Sequence, residues 1–127
     1  MRVLIVEDSD SIVRMIQALM SARGFDVRSA SSGARGLEEV FAWKPNVVLL
    51  DINLPGAYDG IQVCEKIRSD PDKNLRETPI IIVSAMNDDE VKRRAHEAGA
   101  TAYYEKPFSP LALLKEVESL QRRSGNW

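Results

Sequence analysis

Three short apolar runs constrain this chain more than any other feature: Val3-Leu4-Ile5-Val6, Val47-Val48-Leu49-Leu50 and Ile80-Ile81-Ile82-Val83. Each is rich in β-branched residues and none alternates with polar ones. A strand with one wet face alternates, so an unbroken run calls for cover on both faces, the setting of a parallel sheet. Phe25 to Ala30 and Thr101 to Glu105 are weaker candidates and read as edge strands.

Between these runs lie five stretches with helical spacing. The first carries Ile12, Val13, Ile16, Leu19 and Met20 on one stripe, closed by Gly24. The second, Ala34 to Trp43, turns Leu37, Val40 and Phe41 inward and stops at Lys44-Pro45. The third, Asp59 to Ser69, buries Ile61, Val63, Cys64 and Ile67. A fourth begins at Asn87 as N-cap and sets Asp88, Asp89 and Glu90 where the helix dipole favours anions; Gly99 ends it. The fifth opens with Ser109 as N-cap and Pro110 at the first helical position, then repeats Leu113, Leu114, Val117 and Leu120 at core spacing. Five β-α units in a row predict an α/β domain with a parallel sheet and right-handed crossovers.

At 127 residues the chain is the size of one compact domain. Nineteen acidic against seventeen basic side chains give a net charge of -2, without the basic footprint of a domain that grips nucleic acid through its phosphates. The single cysteine, Cys64, allows no internal disulfide and fits a reducing compartment. Apolar runs of this length fall far short of the roughly twenty residues needed to cross a bilayer, and Glu7-Asp8 arrives too early for a signal peptide. The expectation is a soluble, cytoplasmic domain.

In open parallel sheets ligands bind beyond the C-terminal strand ends, where strand order reverses. Here the strands end in Glu7-Asp8, Asp51, Ser84-Ala85 and Glu105-Lys106-Pro107. Three carboxylates, a hydroxyl and an ammonium thus project from one rim. Carboxylates about 5 Å apart repel by roughly 3 kcal/mol per pair at an effective dielectric of 20, so a cation is expected among them. All-oxygen ligation favours Mg²⁺, with Lys106 as a second positive charge. A metal, a carboxylate nucleophile (Asp51), a lysine and a hydroxyl (Ser84) suit phosphoryl transfer.

Val3-Leu-Ile-Val-Glu7-Asp8, Leu49-Leu-Asp51-Ile-Asn-Leu-Pro55, Ser84-Ala85 and Lys106-Pro107-Phe108, at these spacings, resemble the receiver domain of two-component response regulators. The resemblance implies a flavodoxin-like (βα)5 doubly wound three-layer sandwich with strand order 2-1-3-4-5, spanning residues 1–123 and leaving 124–127 as a loose C-terminal tail. It implies Asp51 as phosphoacceptor, and Mg²⁺ held by Asp8, Asp51 and the Asn53 backbone carbonyl, with Glu7 acting through metal-bound water. Ser84 and Lys106 would bind the phosphoryl group, and Tyr103, three residues before the lysine, is the switch aromatic that follows Ser84. Strand alternation should send Tyr104 to the opposite face.

The implied donors are a sensor histidine kinase or a histidine phosphotransfer protein, with the exposed side of the first helix (Arg14, Met15, Ala18) as docking surface. Output would pass through the face of the fourth helix, fifth strand and fifth helix, to a downstream protein, an effector domain absent from this chain, or a homodimer formed on phosphorylation. Direct contact with nucleic acid or membrane is not expected. Such a domain is no conventional enzyme, although it catalyses its own phosphorylation and dephosphorylation. The loop after Asp51 is one residue longer than the usual pattern.

Rival readings are weaker. No Gly-Lys-Ser/Thr phosphate loop exists, and Gly33-Ala-Arg-Gly36 lacks the first glycine of a dinucleotide fingerprint. Asn53 stands where a haloacid-dehalogenase-type phosphatase needs a second carboxylate, and no hydroxyl-rich loop follows the first strand as a flavin carrier would require. A pseudo-receiver that binds partners without phosphorylation stays open. His96 reads as a surface residue, Cys64 as a small packed side chain, Lys92-Arg93-Arg94 as a solvated face, and the fourth helix, with its thin stripe Val91, Ala95 and Ala98, as mobile.

Overall fold

The computed structural model describes the backbone of residues 1–124. Eleven elements follow in order: β1 (Arg2–Val6), α1 (Asp10–Ser21), β2 (Asp26–Ala30), α2 (Gly33–Trp43), β3 (Val47–Leu50), α3 (Gly60–Arg68), α4 (Lys73–Arg76), β4 (Ile80–Ser84), α5 (Asp89–Glu97), β5 (Ala102–Glu105) and α6 (Pro110–Ser124). The five strands pair in parallel in the order β2-β1-β3-β4-β5. The three unbroken apolar runs form the central strands, and the two weaker candidates form the edges, as expected of a doubly wound flavodoxin-like sheet. The loose tail expected at 124–127 lies, beyond Ser124, outside the described residues.

Alternation along the strands builds two cores. Leu4, Val6, Val48, Leu50, Ile80 and Ile82 face one side, with side chains of α2, α3 and α5. Val3, Ile5, Val47, Leu49, Ile81 and Val83 face the other, with α1 and α6. This is the three-layer arrangement that explains why the runs at residues 3–6, 47–50 and 80–83 carry no polar residue. The chain steps from β1 to β2 in one direction and from β2 through β5 in the other. Crossovers of one hand run in opposite directions therefore place α1 and α2 on opposite faces.

Four local readings change. Phe41 is 42% exposed, not inward. At 3.6 residues per turn it lies about 100° from Val40, outside the stripe Gly33, Gly36, Leu37, Val40, while Trp43 packs on the core in its place. The cap of α5 is Asp88, whose Oδ1 accepts from the Val91 backbone N–H at 2.8 Å, so Asn87 stays outside the helix. A short helix, α4, precedes β4; Asp72 caps it by accepting from Asn74. Within the basic run, Lys92 is not simply solvated: it forms an ion pair with Glu105 of β5, whereas Arg93 pairs along its own helix with Glu90 and Glu97.

The loop between β3 and α3 is drawn tight at both ends. Asp59 and Gln62 form a reciprocal capping box, and the Gly60 N–H donates to Ile52 O at 2.9 Å. A Cβ on Gly60 would stand 2.1 Å from Asp51 O and 2.7 Å from Ile52 Cα, both backbone atoms that cannot yield cheaply. Gly60→Ala is therefore expected to cost about 2 kcal/mol or more of stability, read as a lower urea midpoint. A midpoint equal to wild type would show that the loop yields without strain.

Candidate phosphoryl-transfer site

The sheet itself places the site. Val6 and Leu50 are register partners, so the residues following them, Glu7 and Asp51, leave the sheet side by side where strand order reverses. The ladder continues one residue past three strands. Glu7 N–H donates to Ala30 O at 3.0 Å, Asp51 N–H to Val6 O at 3.0 Å, and Lys106 N–H to Ser84 O at 2.8 Å. These three candidate residues are thus pinned by sheet hydrogen bonds.

Carboxylate oxygens of Glu7, Asp8 and Asp51 lie within 4.8 Å of one another. Glu7 is 5% and Asp51 6% exposed, while Asp8 opens to solvent. The Lys106 ammonium donates to Glu7 Oε1 at 2.7 Å and to Asp51 Oδ2 at 3.3 Å. Backbone donors complete the pair: Ser9 N–H reaches Glu7 Oε2 at 3.1 Å, and Asn53 N–H reaches Asp51 Oδ1 at 3.3 Å, which draws the Asn53 backbone against the Asp51 carboxylate. Burial pushes the Glu7 carboxyl above its ordinary range, against the lowering effect of the Lys106 and Ser9 hydrogen bonds. For Lys106, burial acts to weaken the ammonium, but Glu7 and Asp51 outweigh it and hold its pKa above the usual lysine value.

Three carboxylates against one ammonium leave surplus negative charge in a half-enclosed, all-oxygen setting. That donor set fits a hard divalent cation. Asp8 is the open side through which such an ion would keep water.

Ser84 is fully buried at the end of β4, and its Oγ accepts from the Met86 backbone N–H at 3.2 Å. The Tyr103 hydroxyl donates to Met86 O at 2.5 Å, and its ring joins the core face shared by α3 and α5. Tyr104 points the other way, with its hydroxyl on Glu116 Oε1 of α6 at 3.0 Å. Alternation thus puts Tyr103, and not Tyr104, on the Ser84–Met86 segment.

His96 is exposed, and Cys64 is fully buried with burial pushing its thiol up to about 11, so neither joins the site. Reading the residues alone missed that Glu7 is the nearer partner of Lys106. The only signal was its place directly after an apolar strand. No helix among the described residues is long and apolar enough to cross a membrane.

The fold and rim define a doubly wound α/β domain with an acidic site at its strand ends, and comparison with known proteins identifies its family. The family model described as the response regulator receiver domain matches residues 3–118. The chain is 35% identical over 123 residues to the alkaline phosphatase synthesis transcriptional regulatory protein PhoP of Bacillus subtilis, covering 97% of this chain and 49% of that protein. It is 31% identical over 121 residues to the response regulator PleD of Caulobacter vibrioides, covering 95% of this chain and 26% of that protein.

Among solved structures, the Francisella response regulator 1452 receiver domain superposes with a TM-score of 0.86 at 29% identity, covering 97% of this chain and 98% of that one. The BeF3-activated N-terminal receiver domain of Klebsiella pneumoniae RstA gives 0.85 at 30% identity, covering 96% and 99%. This chain belongs to the response regulator receiver domain family of two-component signalling. It spans about half the length of the first of the two relatives and about a quarter of the second.

Proposed function

We propose that Asp51 accepts a phosphoryl group from a phosphohistidine on a sensor kinase or phosphotransfer protein. The observation that supports this best is a nearly buried carboxylate, held by the Asn53 backbone N–H and facing an ammonium at 3.3 Å, beside two further carboxylates. An Asp51 carboxylate oxygen attacks phosphorus as the P–N bond of the donor breaks. The leaving imidazole keeps the electron pair of that bond and departs neutral, its other ring nitrogen having been protonated from solvent, and Asp51 becomes an aspartyl phosphate.

Glu7, Asp8, Asp51 and the Asn53 carbonyl would hold Mg²⁺, which when bound supplies positive charge to the phosphoryl oxygens. Lys106 leaves Asp51 for a phosphoryl oxygen while keeping Glu7, its closer partner. The Ser84 hydroxyl, which accepts from Met86 and lies within hydrogen-bond reach of the Tyr103 hydroxyl, turns its own proton to a second phosphoryl oxygen. Moving Ser84 tugs the Met86 segment, and the Tyr103 hydroxyl on Met86 O moves with it. The consequence is a shift in the face formed by α5, β5 and α6, which biases affinity for an output partner.

Arg14, Met15 and Ala18 are all exposed on α1 beside the rim and form the surface offered to the donor. Output is then read by another protein, by an effector region of a longer protein, or by a second phosphorylated copy. The setting is the cytoplasm.

Incubation with Mg²⁺ and acetyl phosphate tests the reading. A mass gain of one phosphoryl group is expected, and none would support the pseudo-receiver alternative. Met86 is half-buried at the loop that follows Ser84. Met86→Lys is expected to slow autodephosphorylation several-fold, because a longer side chain reaching the phosphoryl oxygens would obstruct the approach of water to phosphorus. An unchanged decay of the phosphorylated species would remove that role.

A further inference from the structure

α5 carries the proposed output face, yet little of it is buried: Val91 and Ala95 are its only buried residues. Its two ends are held very differently. At the N-terminal end the Asp88 cap is local, and the polar links to the neighbouring strand are those of half-exposed Lys92, which pairs with Glu105 and stands 6.0 Å from the centroid of the Tyr103 ring. At the C-terminal end, where helix carbonyls lack intrahelical partners, two side chains of α3 supply donors. Cys64 Sγ–H reaches Ala98 O at 3.3 Å, and Arg68 Nε–H reaches Gly99 O at 2.9 Å.

Arg68 does more than cap α5. One of its terminal nitrogens also donates to Arg76 O at 2.9 Å and Thr78 O at 2.6 Å, at the end of α4 and the entry to β4. Its guanidinium thus gathers carbonyls from three segments, and no carboxylate pairs with it among the described residues. Gly99 makes the approach feasible. Its φ of +101° suits glycine, and a Cβ there would stand 2.8 Å from Arg68 Cγ. The hydrogen bonds are neutral at the acceptor end and part-buried, so the clamp is short-range and insensitive to salt.

We infer that Arg68, with Cys64, fixes the C-terminal end of α5 as a pivot, so that motion started at Ser84 is confined to the 85–92 segment and swings the helix instead of sliding it. The regulatory meaning of the pivot rests on the phosphoryl-switch reading; the mechanical asymmetry does not. Arg68 is a positioning residue, far from the reacting atoms.

Residue-resolved amide exchange on the whole chain tests both parts. In the unphosphorylated protein, the amides of Ala98, Gly99 and Ala100 should exchange at least about tenfold more slowly than those of Val91 and Lys92. Arg68→Lys, which keeps the charge but cannot span three carbonyls, should abolish that difference while leaving β3 and β4 amides within about twofold of wild type. Cys64→Ala should do the same in smaller measure and serves if Arg68→Lys unfolds. On treatment with acetyl phosphate and Mg²⁺, wild type should change exchange only over 85–92, and the Arg68 variant through residue 100.

An equal or reversed gradient in wild type, or a uniform rise across all strands in both variants, would overturn the pivot. The mass of each treated sample is read alongside. A missing phosphoryl gain would count against the functional reading while leaving the gradient result standing.

Discussion

Asp51→Asn is expected to abolish the phosphoryl mass gain entirely. An amide oxygen is no nucleophile toward phosphorus at neutral pH, and neither Glu7 nor Asp8 offers the same setting, since Lys106 holds Glu7 at 2.7 Å, closer than the 3.3 Å to Asp51, and Asp8 faces solvent. The same substitution removes one of three mutually repelling carboxylates. In the absence of divalent cations Asp51→Asn should therefore be at least as stable as wild type, which separates lost chemistry from lost fold. A variant that still gained one phosphoryl group at the wild-type rate would place the acceptor elsewhere.

The second large effect is on stability. Lys106 is 17% exposed and is the ammonium against Glu7 and Asp51, both nearly buried. Removing one partner of such a cluster leaves uncompensated charge, so Lys106→Met should cost about 3 kcal/mol in metal-free buffer. Two conditions should restore much of the loss. Added Mg²⁺ would place positive charge back among the carboxylates, stabilising by mass action on the native state.

Acidification would act through Glu7. Its folded pKa lies above its unfolded value, so its favourable contribution is complete below the ordinary carboxylate range and is lost as pH rises through the raised folded value. In Lys106→Met, that window should move to higher pH, because the hydrogen bond that lowers the Glu7 pKa is gone. Urea unfolding from pH 4 to 8, with and without Mg²⁺, checks both. Equal stability of the variant and wild type in metal-free buffer at neutral pH would contradict the charge account.

Much of this was legible in the residues because both signals were local. An apolar run followed at once by a carboxylate or hydroxyl marks a buried strand and what stands on its rim, and Glu7, Asp51 and Ser84 each carry that signature, while Lys106 stands one residue past Glu105 at the end of a weaker edge strand. Parallel pairing then makes rim residues neighbours without further information. What stayed hidden depended on backbone positions set by distant segments. Arg68 reads as one charge at the end of a helix, while its acceptors are carbonyls of residues 76, 78 and 99.

The four-residue α4 carried only the Asp72 cap signal, too short a stretch for periodicity to show. Asn87 and Asp88 are both good caps, and which one is used is decided by where the chain leaves β4. Phe41 was misplaced because large apolar size suggests burial, whereas its angle on α2 puts it beyond the packed stripe.

The most direct test of the account is chemical mapping of the phosphorylated residue. After treatment with acetyl phosphate and Mg²⁺, borohydride reduction converts an aspartyl phosphate to an alcohol, and peptide mass spectrometry locates it. The account predicts reduction at residue 51 alone, dependent on Mg²⁺. Reduction at another carboxylate, or a phosphoryl group retained on His96 with residue 51 unmodified, would contradict it.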